Sequence, residues 1–129
     1  MGRKVPGKPT NSELAILNVL WSRGTATVRE VFDELNQTRP TGYTTVLKLL
    51  QIMTEKGLVI RDDSERSHRY QAARPEEQTQ KQLVADLMER AFGGSAARLV
   101  LHALSSKRAS SAELDQIRKF IDEMERRRP

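Results

Sequence analysis

A mostly α-helical fold with one small β-hairpin is predicted for this chain, and three observations predict it. The pattern S/T-x-x-E recurs at three places: Thr10 with Glu13, Thr27 with Glu30, and Ser110 with Glu113. In that pattern a hydroxyl caps an orphan N–H and the glutamate returns the bond, so each marks a helix start. After Gly57 the apolar period changes from helical to extended, in two short runs joined by polar residues. From Pro75 onward the pattern is helical again, with no further strand signal.

The elements follow in order. The first helix is expected over about Asn11 to Ser22, with Leu14, Leu17, Val19, Leu20 and Trp21 apolar and Gly24 as its stop. Short "TAT", Thr25 to Thr27, could add an edge strand. The second helix is expected over about Val28 to Gln37, turning Val28, Val31, Phe32 and Leu35 inward. Pro40 forbids its continuation, and Thr41 is expected to cap the third helix, which ends at Gly57. In that third helix Tyr43, Val46, Leu49, Leu50 and Met53 form an apolar row; Thr44, Lys48, Gln51 and Glu55 lie opposite. "LVIRDD" and "SHRYQAA" are the hairpin strands, linked by turn-prone "DDSER". A fourth helix is expected over about Glu76 to Phe92, broken at Gly93. A short fifth helix carries Leu99, Val100 and Leu104, and a sixth follows "SSAE".

Helix, short strand, helix, helix, hairpin is the order of a winged helix-turn-helix. In that architecture the second helix of the pair enters the major groove of DNA, which admits one helix. The third helix is then the reader and the hairpin is the wing. Reading helices use their N-terminal half against bases, which selects Thr44, Lys48 and Gln51, with Thr45 at the flank. Thr41 and Gly42 sit where a helix N-terminus suits a phosphate oxygen. Arg66, His68 and Arg69 lie at or near the wing tip, where phosphates or the minor groove are in reach. Two plainer readings stay open: a solvated helix face, and a charged turn that protects an edge strand.

Composition narrows the rest. The chain has 129 residues, a net charge of +5 and no cysteine. Thiolate metal sites and cysteine nucleophiles are excluded, and a reducing, cytoplasmic location is expected. Two histidines give no zinc spacing; His102, among apolar neighbours, reads as packing. With no nucleophile–base pair, phosphate loop or metal cluster, no enzyme, cofactor or metal is expected. No run approaches the roughly 20 apolar residues that span a bilayer, so no membrane insertion is expected. Residues 1–9 read as a flexible basic arm. Residues 1–74 hold 12 basic and 8 acidic side chains, against 10 and 9 in residues 75–129. The basic excess therefore sits on the DNA-reading half, as phosphate binding would want. The excess is modest, so affinity is expected to come from two copies.

Residues "ELAILNVLWSRGTATVREVFDEL", then "GYTTVLKLLQIMTEKGLV" and "HRYQA", closely resemble the BlaI/MecI/CopY (penicillinase repressor) family of bacterial transcriptional regulators. The resemblance runs from about Thr10 to Met124. It implies a DNA-binding repressor, with a winged helix over residues 10–74 on one half-site of a double-stranded operator. It implies a helical dimerisation domain over residues 75–129 and hence a homodimer on a palindromic site. Three helices of this length do not easily bury their apolar residues alone. The residues expected at the dimer interface are Leu83, Leu87 and Phe92, then Leu99 and Val100. Leu114, Ile117, Phe120, Ile121 and Met124 of the last helix complete it. The alternative is that these helices fold back on their own winged helix. In another class, the chain would be a winged-helix protein-interaction module that does not read DNA.

The resemblance also implies a release step. In the β-lactam branch a membrane sensor-protease system triggers cleavage in the C-terminal part, at an Asn-Phe junction. The corresponding region here is His102 and Ala103, a departure from that pattern. The copper branch uses cysteines that this chain lacks. Leu47 and Ile52 stand where the staphylococcal reading helix carries arginine, so the operator sequence does not transfer.

Overall fold

The computed structural model describes residues 8–106 and 109–128. Residues 1–7 of the expected basic arm lie outside the described residues. The elements are α1 (Asn11–Arg23), β1 (Ala26–Thr27), α2 (Val28–Thr38), α3 (Tyr43–Lys56), β2 (Val59–Asp62), β3 (Arg69–Ala72), α4 (Glu76–Ala91), α5 (Ala96–Ser106) and α6 (Ser111–Arg127). The expected order is observed, and the helix ends fall within one or two residues of those read from the pattern.

The chain divides into two compact units, the first ending at Leu83 and the second beginning at Val84. The division falls inside α4 and not at residue 75. The start of α4 belongs to the first unit, where Thr79 is buried. The Trp21 indole N–H donates to the Arg74 carbonyl at 3.0 Å and ties the segment before α4 to α1.

In the first unit α1, α2 and α3 surround a core whose fully buried side chains include Ile16, Leu17, Leu20, Val31, Leu50 and Met53. Burying each removes a large aliphatic side chain from water, a gain of about 1.5–3 kcal/mol. The sheet is antiparallel in the order β1-β3-β2, so "TAT" does supply the edge strand. Ala26 pairs with Tyr70 and Thr27 with Arg69, while Arg61 and Asp62 pair with the same two residues from the other side. Tyr70 is therefore central and buried.

All three predicted capping boxes are present, with both bonds made at Thr10, Thr27 and Ser110. Gly57 ends α3 at φ 80°, a left-handed position that a side chain would strain. One capping expectation needs correction. Thr41 does not cap α3, because its groups are engaged behind it. Its N–H donates to Asn36 Oδ1 at 3.1 Å and its hydroxyl to the Arg39 carbonyl at 3.2 Å. The cap position falls to Gly42, which offers no side-chain hydrogen bond.

The second unit holds the rest of α4 with α5 and α6. Gly94 closes α4 by donating to the Met88 carbonyl at 2.9 Å, six residues back. Ser95 Oγ accepts from the Arg98 N–H at 3.1 Å and caps α5. Among the described residues, no apolar side chain of this unit is buried. Leu101 and Phe120 are 65% and 63% exposed, with Val84, Leu87, Ile121 and Met124 about half exposed. His102 is exposed, yet its ring meets Phe92 at 5.5 Å between centroids.

Candidate nucleic-acid interface

The orientation of α3 decides what it can touch. Val46, Leu50 and Met53 are fully buried, and Leu49 is partly buried against the core. Thr44, Thr45, Lys48 and Gln51 are exposed. The apolar row therefore faces the domain and the polar row faces out. Tyr43 departs from the expected inward row at 43% exposure. It stands one turn before the buried stretch and meets Phe32 of α2 edge-on at 5.6 Å.

The N-terminus of α3 is open. The first helical hydrogen bond runs from the Val46 N–H to the Gly42 carbonyl at 3.1 Å. The N–H groups just before it have no intrahelical partner and no side-chain cap. Such a terminus carries partial positive charge and suits an anionic oxygen. Thr41, half-buried, and Gly42, exposed, stand beside it.

Residues 63–68 connect the hairpin strands, and all are exposed. Asp62 Oδ1 accepts from the Ser64 N–H at 2.9 Å, which bends the chain and holds the Asp62 carboxyl below its usual pKa. Asp63 pairs with the Arg61 guanidinium at 2.7 Å and lies 3.5 Å from His68 Nδ1. Arg66 and His68 share a cleft of about 290 Å³ with Thr27, Arg29, Tyr43 and Leu47. The cleft separates this connection from the start of α3. Arg29 and Tyr43 thus border the candidate surface, although periodicity placed Tyr43 in the inward row and did not single out Arg29. Their signal was spatial, since only the folded hairpin brings residues 66–68 beside residues 29 and 43.

Arg69 is placed differently from Arg66 and His68. It is the first residue of β3, paired on both sides, and its guanidinium points back into the domain. It donates to Thr25 Oγ1 at 3.1 Å and lies 3.2 Å from Glu30 Oε1.

A buried ion pair supports α3 from behind. Glu13 is 2% exposed, and both its oxygens accept from Lys56 Nζ at 2.9 Å. It also accepts from the Thr10 N–H at 2.9 Å. Burial pushes the Glu13 carboxyl up, but Lys56 and Thr10 outweigh it and hold its pKa below the ordinary 4.5. The pair locks the start of α1 to the end of α3. The pattern at Glu13 signalled only its capping role.

Three helices, a small three-stranded sheet and an outward polar face on the third helix define a winged-helix domain. The fold is shared with the DNA-binding domain of the repressor BlaI, at TM-score 0.52 and 23% identity, over 57% of this chain and 90% of that one. It is shared also with the monomeric form of Bacillus licheniformis BlaI, solved in complex with the blaP half-operator. There the TM-score is 0.50 at 23% identity, over 58% of this chain and 92% of that one. In sequence, the chain is 32% identical over 115 residues to the transcriptional regulator BlaI of Mycobacterium tuberculosis, in two strains. That match covers 88% of this chain and 82% of the relative. Residues 9–123 match the penicillinase repressor family. The chain belongs to that family of transcriptional regulators, which are not enzymes. No described helix is long and apolar enough to cross a membrane.

Proposed function

We propose that the chain is a sequence-specific DNA-binding transcriptional repressor, acting as a homodimer on a palindromic operator. The observation that carries this reading is the outward face of α3, with Thr44, Thr45, Lys48 and Gln51 exposed beside an uncapped helix start. Thr44, Lys48 and Gln51 are suited to base edges: threonine to a thymine methyl, lysine to guanine acceptors, glutamine to adenine. Thr41 and Gly42 would hold a phosphate at the helix start, and Arg66 and His68 would hold the flanking backbone. Family membership, and relatives named as repressors or solved with a half-operator, support the same reading.

The dimer follows from the second unit. Phe120, Ile121 and Met124 of α6, with Leu87 of α4 and Val100 of α5, expose more apolar side chain than a solvated helical unit keeps in water. Leu83, Phe92, Leu99, Leu114 and Ile117, each half-buried, would extend the contact. A second copy would cover these surfaces. Release would act through this unit, by proteolysis near His102 and Ala103 under a membrane sensor-protease system or by another signal.

The test is selection from a random-sequence duplex pool, followed by footprinting. The expected result is an enriched inverted repeat, with half-sites about 34 Å apart or a multiple of that. A pool with no enriched sequence, or a footprint on one half-site, would contradict it.

A further inference from the structure

Arg69 and Glu30 stand at the centre of a charge cluster that the DNA-reading surface does not use. Glu30 Oε1 accepts from the Thr27 N–H at 2.9 Å, which completes the cap of α2, and lies 3.2 Å from Arg69 Nη2. Its other oxygen lies 3.1 Å from Arg23 Nη2 at the end of α1. Arg23 reaches on to Glu34 at 3.3 Å. Arg69 completes the set through Thr25, donating from Nε to the hydroxyl at 3.1 Å and from Nη2 to the carbonyl at 3.5 Å. One carboxylate thereby joins the end of α1, the start of α2 and the strand that leaves the wing connection. The guanidinium makes these contacts through Nε and Nη2.

We infer that Glu30 and Arg69 are positioning residues that fix the wing against α2, and that Arg69 does not itself contact DNA. A planar fork whose Nε and Nη2 are bound by protein acceptors holds β3 in one orientation. Arg66 and His68 directly precede β3, so their place beside the start of α3 depends on that anchor. The competing role, a phosphate contact made through Nε and Nη2, would require the guanidinium to leave Thr25 and Glu30. The inference rests on the proposed DNA reading for its functional consequence, though the anchoring itself does not.

Three variants of the full chain test it. Glu30→Gln keeps an acceptor for the Thr27 N–H, since glutamine serves in a capping box, but loses both ion pairs. Arg69→Lys keeps the charge and loses the fork. Thr25→Val removes the hydroxyl acceptor from an exposed position. The probes are the duplex that the wild-type chain selects from a random pool and a scrambled duplex of equal length. Glu30→Gln and Arg69→Lys are each expected to weaken binding to the selected duplex by about tenfold. The double variant should lose less than the two single losses combined, because both remove the shared Arg69–Glu30 pair. Thr25→Val should lie between them and the wild type. Tighter binding by Glu30→Gln, or unchanged binding by Arg69→Lys, would make Arg69 a phosphate contact and overturn the inference. Unchanged affinity in all three, with circular dichroism reporting a wild-type fold, would reduce the cluster to a structural one and overturn it as well.

A measurement without DNA separates the two readings. Backbone amide order parameters of residues 63–68 are expected to fall in Glu30→Gln while those of α3 hold. No change would overturn the anchor. A wild-type chain that selects no duplex, but whose wing loosens in Glu30→Gln, would sink the proposed function and leave the anchor standing.

Discussion

Glu13 and Gly42 show how single residues prepare α3 from its two ends. Glu13 is a buried carboxylate kept ionised by Lys56 and by the Thr10 N–H, with a folded-state pKa below 4.5. A depressed pKa stabilises the fold above the unfolded value, and that contribution is lost as pH falls through the folded value. The chain should therefore lose stability below about pH 4.5, and Glu13→Gln should flatten that limb of the curve, measured by thermal unfolding from pH 3 to 7. Lys56→Met should cost roughly 2–3 kcal/mol at neutral pH. That lies below the range for a fully buried pair because Lys56 is one-third exposed. An unchanged denaturant midpoint would show that the carboxylate finds another partner. At the other end, Gly42 has cap geometry without a capping side chain. Gly42→Asp should stabilise the fold by a few tenths of a kcal/mol by capping α3, and yet weaken DNA binding by placing a carboxylate where a phosphate would sit. Tighter binding by this variant would remove the phosphate from the helix start.

At the scale of elements, the proposed function gives the reading to α3 and the hairpin. Lys48→Ala should weaken binding to the selected duplex by roughly 1–3 kcal/mol and relax preference at one base pair, checked by titrating single-site duplex variants. A loss equal across all sequences would make Lys48 a phosphate contact. Much of this was legible before the fold was known. The three capping boxes, Pro40 and Gly57 are local signals, and each places a boundary by chemistry within a few residues. The inward set of α3, Tyr43 apart, was legible because its period is set by one buried face. What escaped notice was spatial. Thr41 read as a cap by position, but Asn36 of α2 and Arg39 just after it engage it from behind. Arg69 read as a tip residue by its place after His68. Its acceptors, Thr25 and Glu30, lie some 40 positions earlier in the chain. Glu13 read as a capping residue, and its partner Lys56 is equally remote. No periodicity carries such pairings.

For the whole molecule, the two units differ in packing. The first has a buried core. The second, among its described residues, has none and leaves Leu101, Phe120 and Met124 more than half exposed. Phe120→Asp or Ile121→Asp should give monomers in sedimentation without unfolding the first unit, because these side chains are exposed in the single chain. A dimer of unchanged affinity in both variants would move the interface elsewhere. A monomer should bind one half-site and lose the gain in effective concentration that linked half-sites provide.

The most direct measurement compares the affinity of the full chain for its pool-selected duplex with that for a scrambled duplex, in wild type, Lys48→Ala and Gln51→Ala. The account predicts a wild-type ratio of at least about 1,000. It predicts that each variant lowers this ratio about tenfold or more, and that Gln51→Ala leaves affinity for the scrambled duplex unchanged. A wild-type ratio near one, or a ratio that both variants leave intact, would contradict it.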